Sequence, residues 1–491
     1  MKHHSPERNR RLLAVVLAMP VLALACSQNS VATAATGRLA ADLTAAAPGL
    51  HTYEASAVGV PDLDRTVKND GAVDLYLPDG TIQTLTARKL GLTGPNDGTF
   101  GTSVQVADLN GDKYPDLLVG APGTASGSTP GQVSVLLGSA AGITAKGASV
   151  LASPAKAGDQ FGAALSFSQG TLWVGAPGTD QGGLTSTGAV YRYAIGKTGK
   201  ATLKGSVSET SPSIGGTLQA NERFGEVLAV GRNGVVIGIP RKNIGTAKQA
   251  GQMVVLHLSG DAIRAEVWNQ NSPGVPGGAE SGDHFGAAVS IMGLAVGIPG
   301  EDLGTELVDA GGVQTFKGGD TLTPTPGWIQ TQANSGVPGA SETGDQFGAS
   351  VTVGIFDCKE ALMVAVGVPG EDISKFSNAG AVVLTAYPAA DDPDVPCAAR
   401  LLAQGSGLPG TLEAGDATGR RLSTVSGDSA LEEDQIDDLL IGAPGEDIGT
   451  SQAGKNAGSA TIWSKSYTQS FGFHGRNRAG LGYGSVFSPD H

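Results

Sequence analysis

The sequence has 491 residues, a formal net charge of −14 and a hydrophobic fraction of 40%. Glycine supplies 75 residues, about twice the usual share, whereas charged residues make up 16%, against a typical value of about 25%. The apolar content is sufficient for a packed core and excludes a disordered glycine-rich linker. The negative charge argues against nucleic acid and anionic lipid surfaces as partners.

The N-terminus has the pattern of an export signal. Basic residues precede an apolar segment from Leu12 to Leu24, which is too short for a typical membrane-spanning helix. We predict a signal peptide at residues 1–25, with cleavage before Cys26 or alternatively near residues 34–36. Residues 37–52 then form a linker to the folded domain, and the protein is expected to be secreted or extracellular.

The fate of Cys26 depends on where cleavage occurs. If this thiol is acylated, a lipid anchors the protein to the outer face of the cell membrane; otherwise the protein is freely secreted. Removing residues 1–25 takes away four basic groups and one acidic group, so the formal charge of −14 becomes about −17. Membrane contact is expected through such a lipid alone.

Two further cysteines, Cys358 and Cys397, remain after Cys26. An even pair of thiols in an exported protein is typical of a disulfide, which we predict here. Two unpaired, buried thiols are the alternative.

A glycine-rich unit recurs along the rest of the chain, at intervals of 55 to 75 residues. Each unit ends a short apolar run with Gly-x-Pro, at Gly59, Gly120, Gly175, Gly238, Gly297, Gly367 and Gly442. Six of these turns follow a start at Phe100-Gly101, Phe161-Gly162, Phe224-Gly225, Phe285-Gly286, Phe347-Gly348 or the degenerate Thr418-Gly419. A repeat of this length indicates a modular fold.

Each unit predicts four strands. The first follows Phe-Gly, the second ends at Gly-x-Pro, the third begins at a later glycine, and the fourth fills the space before the next unit. Short apolar runs without helical periodicity favour an all-β fold. We therefore predict one domain over residues 53–491, a seven-bladed β-propeller of four-stranded blades.

The first unit has its Gly59 turn but no preceding Phe-Gly, whereas the C-terminus contains Tyr483-Gly484 in the pattern of the missing strand. We predict that residues 479–488 complete the blade begun by residues 53–77. The chain ends would then close the ring. A disordered tail is the alternative.

One unit contains a complete calcium-loop pattern. Asp108, Asn110, Asp112 and Asp116 occupy positions 1, 3, 5 and 9 of the loop, and the carbonyl of Tyr114 occupies position 7. Alternating oxygen donors of this kind suit Ca²⁺, which takes six to eight oxygen ligands. We predict Ca²⁺ at this loop; an acidic, solvated turn is the alternative.

Two departures from the usual pattern accompany this loop. Val119 stands at position 12, where a helix-loop-helix site has Glu, so the loop is expected to join two strands. Lys113 stands at position 6 in place of Gly, so a left-handed backbone there would be strained.

The last unit offers a less complete second site. Asp434 and Asp438 align with Asp112 and Asp116, but Ala430 takes the place of Asp108. The alignment therefore favours one calcium ion, with Asp434 and Asp438 as a tentative second site.

Together, the Phe-Gly starts, the Gly-Ala-Pro turns and the Asp-x-Asn-Gly-Asp loop resemble the FG-GAP repeat of the integrin α-subunit propeller, over roughly residues 53–488. Within that group the chain is most similar to exported bacterial FG-GAP proteins. The resemblance implies a seven-bladed propeller, calcium in some blades on the face opposite the ligand surface, and extracellular recognition.

Acidic pairs follow several Gly-x-Pro turns, at Glu301-Asp302, Glu371-Asp372 and Glu446-Asp447. They either form an acidic ring for a cationic or metal-bridged partner, or shape a recurrent turn. Trp268 and Trp328 both precede a Gly-Val-Pro segment, and we expect them to be equivalent core anchors.

No Gly-x-Ser-x-Gly elbow and no metal-ligand spacing of histidines is present in the sequence. We therefore favour a monomeric binding or adhesion-type protein that recognises an extracellular protein or glycan, and assign no catalytic residue. The alternatives are an extracellular hydrolase of lipid, phosphodiester or glycan, because propellers also carry enzymes, and an architectural envelope component.

Overall fold

The computed structural model describes most of the repeat region. The described residues are 55–61, 71–77, 81–92, 99–124, 126–232, 234–317, 324–356, 361–387, 397–425, 437–447, 457–463, 468–472 and 486–487. The predicted signal peptide, Cys26 and the linker lie outside them.

The described strands form seven antiparallel-paired sheets, called blades here and numbered along the chain. Blade 1 contains β1 (Ser56–Val60), β2 (Ala72–Tyr76), β3 (Ile82–Leu85) and the C-terminal β29 (Val486–Phe487). Blade 2 contains β4 (Ser103–Ala107), β5 (Asp116–Ala121), β6 (Gln132–Leu136) and β7 (Ala148–Val150). Blade 3 contains β8 (Ala164–Ser168), β9 (Thr171–Ala176), β10 (Ala189–Ile195) and β11 (Ala201–Val207). Blade 4 contains β12 (Val227–Gly231), β13 (Gly234–Ile239), β14 (Gln252–Ser259) and β15 (Ala262–Trp268).

The remaining blades repeat this order. Blade 5 contains β16 (Ala288–Ser290), β17 (Ala295–Ile298), β18 (Gly312–Lys317) and β19 (Thr325–Gln330), and blade 6 contains β20 (Ser350–Gly354), β21 (Met363–Val368), β22 (Ala381–Ala386), β23 (Arg400–Gln404) and the short, parallel β24 (Gly407–Leu408). Blade 7 contains β25 (Arg421–Val425), β26 (Asp438–Ala443), β27 (Ser459–Trp463) and β28 (Thr468–Gly472).

The blades form a closed ring. The innermost strands are β29, β4, β8, β12, β16, β20 and β25, and each contacts the next one, including β25 with β29 and β29 with β4. This arrangement is a seven-bladed β-propeller, as the repeat pattern predicted. The described helical structure is one 3₁₀ turn at Ala145–Gly147, and no helix among the described residues is long and apolar enough to cross a membrane.

The ring closes through the two ends of the chain. In β29, Phe487 pairs with Val58 and Val486 pairs with Gly59 of β1. The predicted closure is therefore confirmed, although Tyr483-Gly484 lies outside the described residues. Blade 1 takes its innermost strand from the C-terminus.

The apolar core lies between neighbouring blades. Leu118 and Val133 of blade 2, for example, belong to one buried cluster with Phe161, Val174 and Tyr193 of blade 3. In a propeller both faces of a blade are buried in this way, which explains why the second strands are almost continuously apolar.

Backbone contacts between blades explain both repeated glycine motifs. A Cβ on Gly251, at the start of the third strand of blade 4, would lie 2.2 Å from the backbone oxygen of Phe285 in the next blade. A Cβ on Gly238, in the Gly-x-Pro turn, would lie 2.0 Å from the oxygen of Gly286. Side chains are therefore excluded at both positions.

The structure describes both tryptophans of the predicted pair and one cysteine of the predicted disulfide. Trp328 is 59% exposed, and Gln330, two residues further on, has the register position that Trp268 has in blade 4, so the predicted equivalence of the two tryptophans is wrong. Cys397 is disulfide-bonded, while its predicted partner Cys358 lies outside the described residues.

We expect Gly251→Ala to lower the free energy of unfolding by about 3 kcal/mol or more, because the new Cβ meets backbone and the residue has φ +88°. Gly260→Ala is the matched control: its φ is +63°, but nothing lies within 4 Å of its Cβ, so about 1 kcal/mol is expected. Urea unfolding measures both. Equal losses in the two variants would contradict the proposed role of the contact between blades.

Candidate functional site

The predicted calcium loop joins β4 to β5 in blade 2. Its turn places Lys113 at φ +70°, so the left-handed backbone expected at position 6 is present in a non-glycine residue. The loop is anchored by Asp108, whose Oδ1 accepts the backbone N–H of Gly111 at 2.7 Å and whose Oδ2 accepts that of Lys113 at 3.0 Å. These bonds turn successive peptide groups toward one carboxylate.

The next two alternate side chains repeat this pattern. Asn110 Oδ1 accepts the N–H of Asp112 at 2.8 Å, and Asp112 Oδ1 accepts the N–H of Tyr114 at 2.9 Å. Asn110 Nδ2 also donates to Asp112 Oδ2 at 3.0 Å. The side chains at positions 1, 3 and 5 therefore lie inside the same turn.

Asp116 has a different environment from the other loop carboxylates. It is fully buried, and its oxygens accept the N–H groups of Leu109 at 2.8 Å and Gly138 at 2.6 Å. Burial raises its pKa, while these two hydrogen bonds act in the opposite direction. Asp116, at the end of the loop, thus links the start of the loop to the connection between β6 and β7.

The donor set of the loop fits Ca²⁺ by its chemistry. It combines two exposed carboxylates, an amide oxygen and a backbone carbonyl, all hard oxygen donors, in a loop with alternating contacts. Across the described residues, no three or more His, Cys, Asp or Glu side chains converge on one metal position. Asn110 and the carbonyl of Tyr114 are therefore needed to complete a ligand set.

The tentative second site is described only at one end. Asp438 begins β26 and pairs with Val425, as Asp116 begins β5 and pairs with Ala107. This register agrees with the sequence alignment. Asp434 and Ala430 lie outside the described residues.

Three carboxyl clusters occupy successive boundaries between blades 4 and 7. Each contains the Glu of a Pro-Gly-Glu-Asp turn, a Gln at or just after the end of the fourth strand of the preceding blade, and the Asp two residues before the Phe or Thr of the next Phe-Gly or Thr-Gly turn. The three sets are Gln270, Asp283 and Glu301; Gln332, Asp345 and Glu371; and Gln404, Asp416 and Glu446.

The same hydrogen bonds recur in each cluster. Gln332 Nε2 donates to Glu371 Oε2 at 2.6 Å, and the corresponding bond from Gln270 to Glu301 is 2.5 Å. Asp345 Oδ2 accepts the backbone N–H of Glu342 at 2.5 Å, while its Oδ1 is buried without a hydrogen-bond partner. The amide and the two carboxyl groups are thus packed together out of water.

Burial makes ionisation of both carboxyl groups unfavourable. Burial first, and then the neighbouring carboxylates, raise the pKa to about 7 for Glu301, Glu371, Glu446 and Asp416, and to about 6 for Asp283 and Asp345. Two adjacent carboxyl groups in such a site lose their protons in two separate steps. The last proton of each pair is therefore lost only as the pH approaches neutrality.

Blade 4 has a lysine at the position that corresponds to the Glu of these clusters. Lys242 replaces the turn Glu, and its Nζ lies 3.0 Å from Glu209 Oε1 and 2.6 Å from Glu222 Oε2. The carbonyl of Lys242 accepts the N–H of Gly251, as that of Glu301 accepts the N–H of Gly311. One ammonium and two carboxylates carry a net charge of −1, the same as a carboxyl pair that holds one proton.

These contacts favour the turn interpretation of the repeated acidic segments over an acidic ring. The Glu residues are bound by Gln, and the following Asp residues hold the turn: Asp302 Oδ1 accepts the N–H of Asp309, and Asp372 Oδ1 accepts the N–H of Asn378. These clusters were not predicted from the sequence. The available signal was a Gln three or four residues before each of the segments 274–277, 336–339 and 407–410, which read Gly-Val-Pro-Gly or Gly-Leu-Pro-Gly.

Comparison with known proteins supports the repeat assignment. Residues 100–136 and 145–193 each match the FG-GAP repeat family. Integrin alpha-IIb from Mus musculus is 39% identical over 105 residues, which are 21% of this chain and 10% of that protein. Together with the seven-bladed ring, these matches support an FG-GAP repeat β-propeller.

Similar solved structures are more distant. Apo AztD from Citrobacter koseri is 11% identical, with a TM-score of 0.35 over 87% of this chain and 96% of its own. A mutant of the Aleuria aurantia lectin in complex with Fucα1-6GlcNAc is 9% identical, with a TM-score of 0.30 over 74% and 99%. Likeness at this level does not extend to function.

The carboxyl clusters predict a pH-dependent stability. Because the folded-state pKa values exceed those of free carboxyl groups, the folded chain binds extra protons at low pH. The free energy of unfolding therefore falls as the pH rises from about 4.5 through about 7. We expect Glu371→Gln to make this decrease in the free energy of unfolding smaller by up to about 3 kcal/mol. Urea unfolding at pH 5 and pH 8 measures it. Exposed Glu306→Gln is the control, and an equal effect of both substitutions would refute the interpretation.

Proposed function

We propose that this FG-GAP propeller is an exported, calcium-stabilised binding protein that recognises an extracellular protein or glycan. Its ligand surface is the face of the ring that carries the Phe-Gly and Gly-x-Pro turns, called the turn face below. The calcium loop lies at the other end of the inner strand of blade 2, because β4 begins after Phe100-Gly101 and ends at Ala107, immediately before Asp108. Metal and ligand would thus occupy opposite faces.

Repeated short hairpins on the turn face are the observation that carries this proposal. After each Gly-x-Pro of blades 3 to 6, the chain makes a short bridged hairpin, at Gln181–Leu184, Ile244–Ala247, Leu303–Leu307 and Ile373–Phe376. Leu184 is 37% exposed and Val308 is 45% exposed. Apolar residues on repeated loops around one face are characteristic of a recognition surface.

The calcium ion would make blade 2 rigid and would not contact the ligand. Asp108, Asn110, Asp112 and the carbonyl of Tyr114 would hold it, while Asp116 anchors the loop to the sheet. Bound Ca²⁺ supplies positive charge that offsets the repulsion between the loop carboxylates. The expected benefit is stability of the loop and of β4–β5.

A calcium titration tests the metal part of the proposal. We expect isothermal calorimetry on metal-free protein to show one ion, with a dissociation constant of about 10⁻⁴ to 10⁻³ M. Asp112→Asn should weaken binding at least about tenfold, because it removes an exposed ligand charge. Asp438→Asn is the control. A stoichiometry of two that falls to one in Asp438→Asn would establish the second site, and no heat up to about 10 mM would reject the loop as a calcium site.

Ligand capture tests the surface. Labelled protein would be applied with calcium to arrays of glycans and extracellular proteins, and we expect a ligand whose binding falls at least about tenfold in the Leu184→Asp, Val308→Asp double variant. Leu203→Asp is the control, since Leu203 is 44% exposed on the outer strand β11, away from the turns. Equal losses in both variants, or no array ligand at all, would argue against this function.

A further inference from the structure

The two positions after each turn glycine lead into the inner strands, around the mouth of the central channel on the turn face. In the six described turns these pairs are Thr102-Ser103, Ala163-Ala164, Glu226-Val227, Ala287-Ala288, Ala349-Ser350 and Arg420-Arg421. Four of the six are small. The charged residues among these pairs are Glu226 in blade 4 and the adjacent Arg420 and Arg421 in blade 7.

Blades 4 and 7 lie on opposite sides of the ring, three blades apart in one direction and four in the other. Arg421 is nevertheless close enough to Glu226 to interact with it electrostatically. Burial and Arg420 lower the pKa of Arg421 and Glu226 opposes this, yet the side chain remains exposed to solvent. A side chain that is surrounded by protein, in contact with water and within reach of the opposite blade lies in the central channel.

Glu226 does not neutralise this channel arginine. Its Oε1 lies 3.1 Å from Arg223 Nε, and its Oε2 lies 3.1 Å from Arg241 Nε, so two other guanidinium groups already share it. Within the described residues, Arg421 makes one hydrogen bond, from Nη1 to the carbonyl of Arg420 at 3.3 Å, and no ion pair.

The mouth therefore carries a local positive charge in an acidic protein. Arg223, Arg241, Arg420 and Arg421 contribute four positive charges against the single negative charge of Glu226, whereas the whole chain has a net charge of −14. A concentration of charge opposite in sign to the protein's own attracts ligands that the rest of the surface repels.

Neighbouring blades hold two of these arginines in place. Arg420 Nη1 donates to Gln346 Oε1 at 3.2 Å, and Arg223 Nη1 donates to Gln160 Oε1 at 2.9 Å. Both glutamines stand immediately before a Phe-Gly turn, at φ +56° and +57°, a conformation that non-glycine residues adopt when the surrounding structure imposes it. The guanidinium groups around Arg421 are thus positioned before any ligand arrives.

We propose that Arg421 and Arg420 form an anion-binding site at the channel mouth, which takes one compact oxyanion group, a carboxylate or a sulfate or phosphate ester, projecting from a ligand bound on the turn face. The planar guanidinium fork binds two oxygens of such a group at once. Partial exclusion of water strengthens the pairing. This inference rests on the proposed binding function and adds to it the chemistry of the group that enters the ring.

The test uses defined anions as probes, with the full chain in calcium-containing buffer at low ionic strength. Sodium sulfate and sodium D-glucuronate are titrated separately by calorimetry, so that the two oxyanion types are distinguished. We expect one site for at least one probe, weakened at least about tenfold in Arg421→Gln and less in Arg421→Lys, which keeps the charge and loses the fork. Arg232→Gln is the control, since exposed Arg232 follows β12 at the opposite end of the strand from the Phe224-Gly225 turn.

The outcomes separate this inference from the proposed function. Unchanged melting temperatures show that the variants fold, and a selective loss in Arg421→Gln supports the site. Equal affinity of Arg421→Gln and wild type, or no binding of either probe, overturns it. If array ligands still bind while neither anion does, the binding function stands and the anion site fails; if anions bind at Arg421 and no array ligand is found, the site stands and the broader function fails.

Discussion

The close approach of one blade's backbone to the next is the constraint on which this propeller depends. Gly120 of blade 2 would place a Cβ 2.1 Å from the oxygen of Gly162, and Gly131 would place one 2.4 Å from the oxygen of Phe161. The Phe-Gly turn of one blade therefore fits against the Gly-x-Pro glycine and the third-strand glycine of the blade before it. The repeated motifs are the two sides of one contact, and the buried phenylalanines fill the space beside it.

This constraint explains why the fold was predictable and the clusters were not. A glycine that must meet a neighbouring backbone recurs once per blade, so its period reveals both the number of blades and the closure of the ring. The cluster of Gln332, Asp345 and Glu371 joins residues up to 39 apart in the sequence, through burial that no local pattern encodes. Sequence adjacency instead paired Glu371 with Asp372, whose Oδ1 accepts the backbone N–H of Asn378 in the turn. Trp328 was misassigned for a related reason, because a two-residue offset moves it out of the register of Trp268.

The loop between β4 and β5 was predictable to the level of its oxygen donors, since alternation along a short turn is a local property. The distinct position of Asp116 was not, because the N–H of Gly138 that binds it comes from beyond the next strand. The chain accommodates buried carboxyl groups in two ways: their pKa values are raised at three boundaries between blades, and the Lys242 ammonium pairs with them at a fourth. The same backbone hydrogen bond, from the third-strand glycine N–H to the carbonyl of the turn Glu or Lys, recurs in all four.

Closure of blade 1 by β29 also fixes the order of events during synthesis. Six blades consist of consecutive strands and become complete as the chain emerges, but blade 1 lacks its innermost strand until residues 486–487 have been made. Until then the inner edge of β1 is unpaired, and an unpaired strand edge is an aggregation hazard. The first strand of the ring is therefore the last to gain its partner on the inner side.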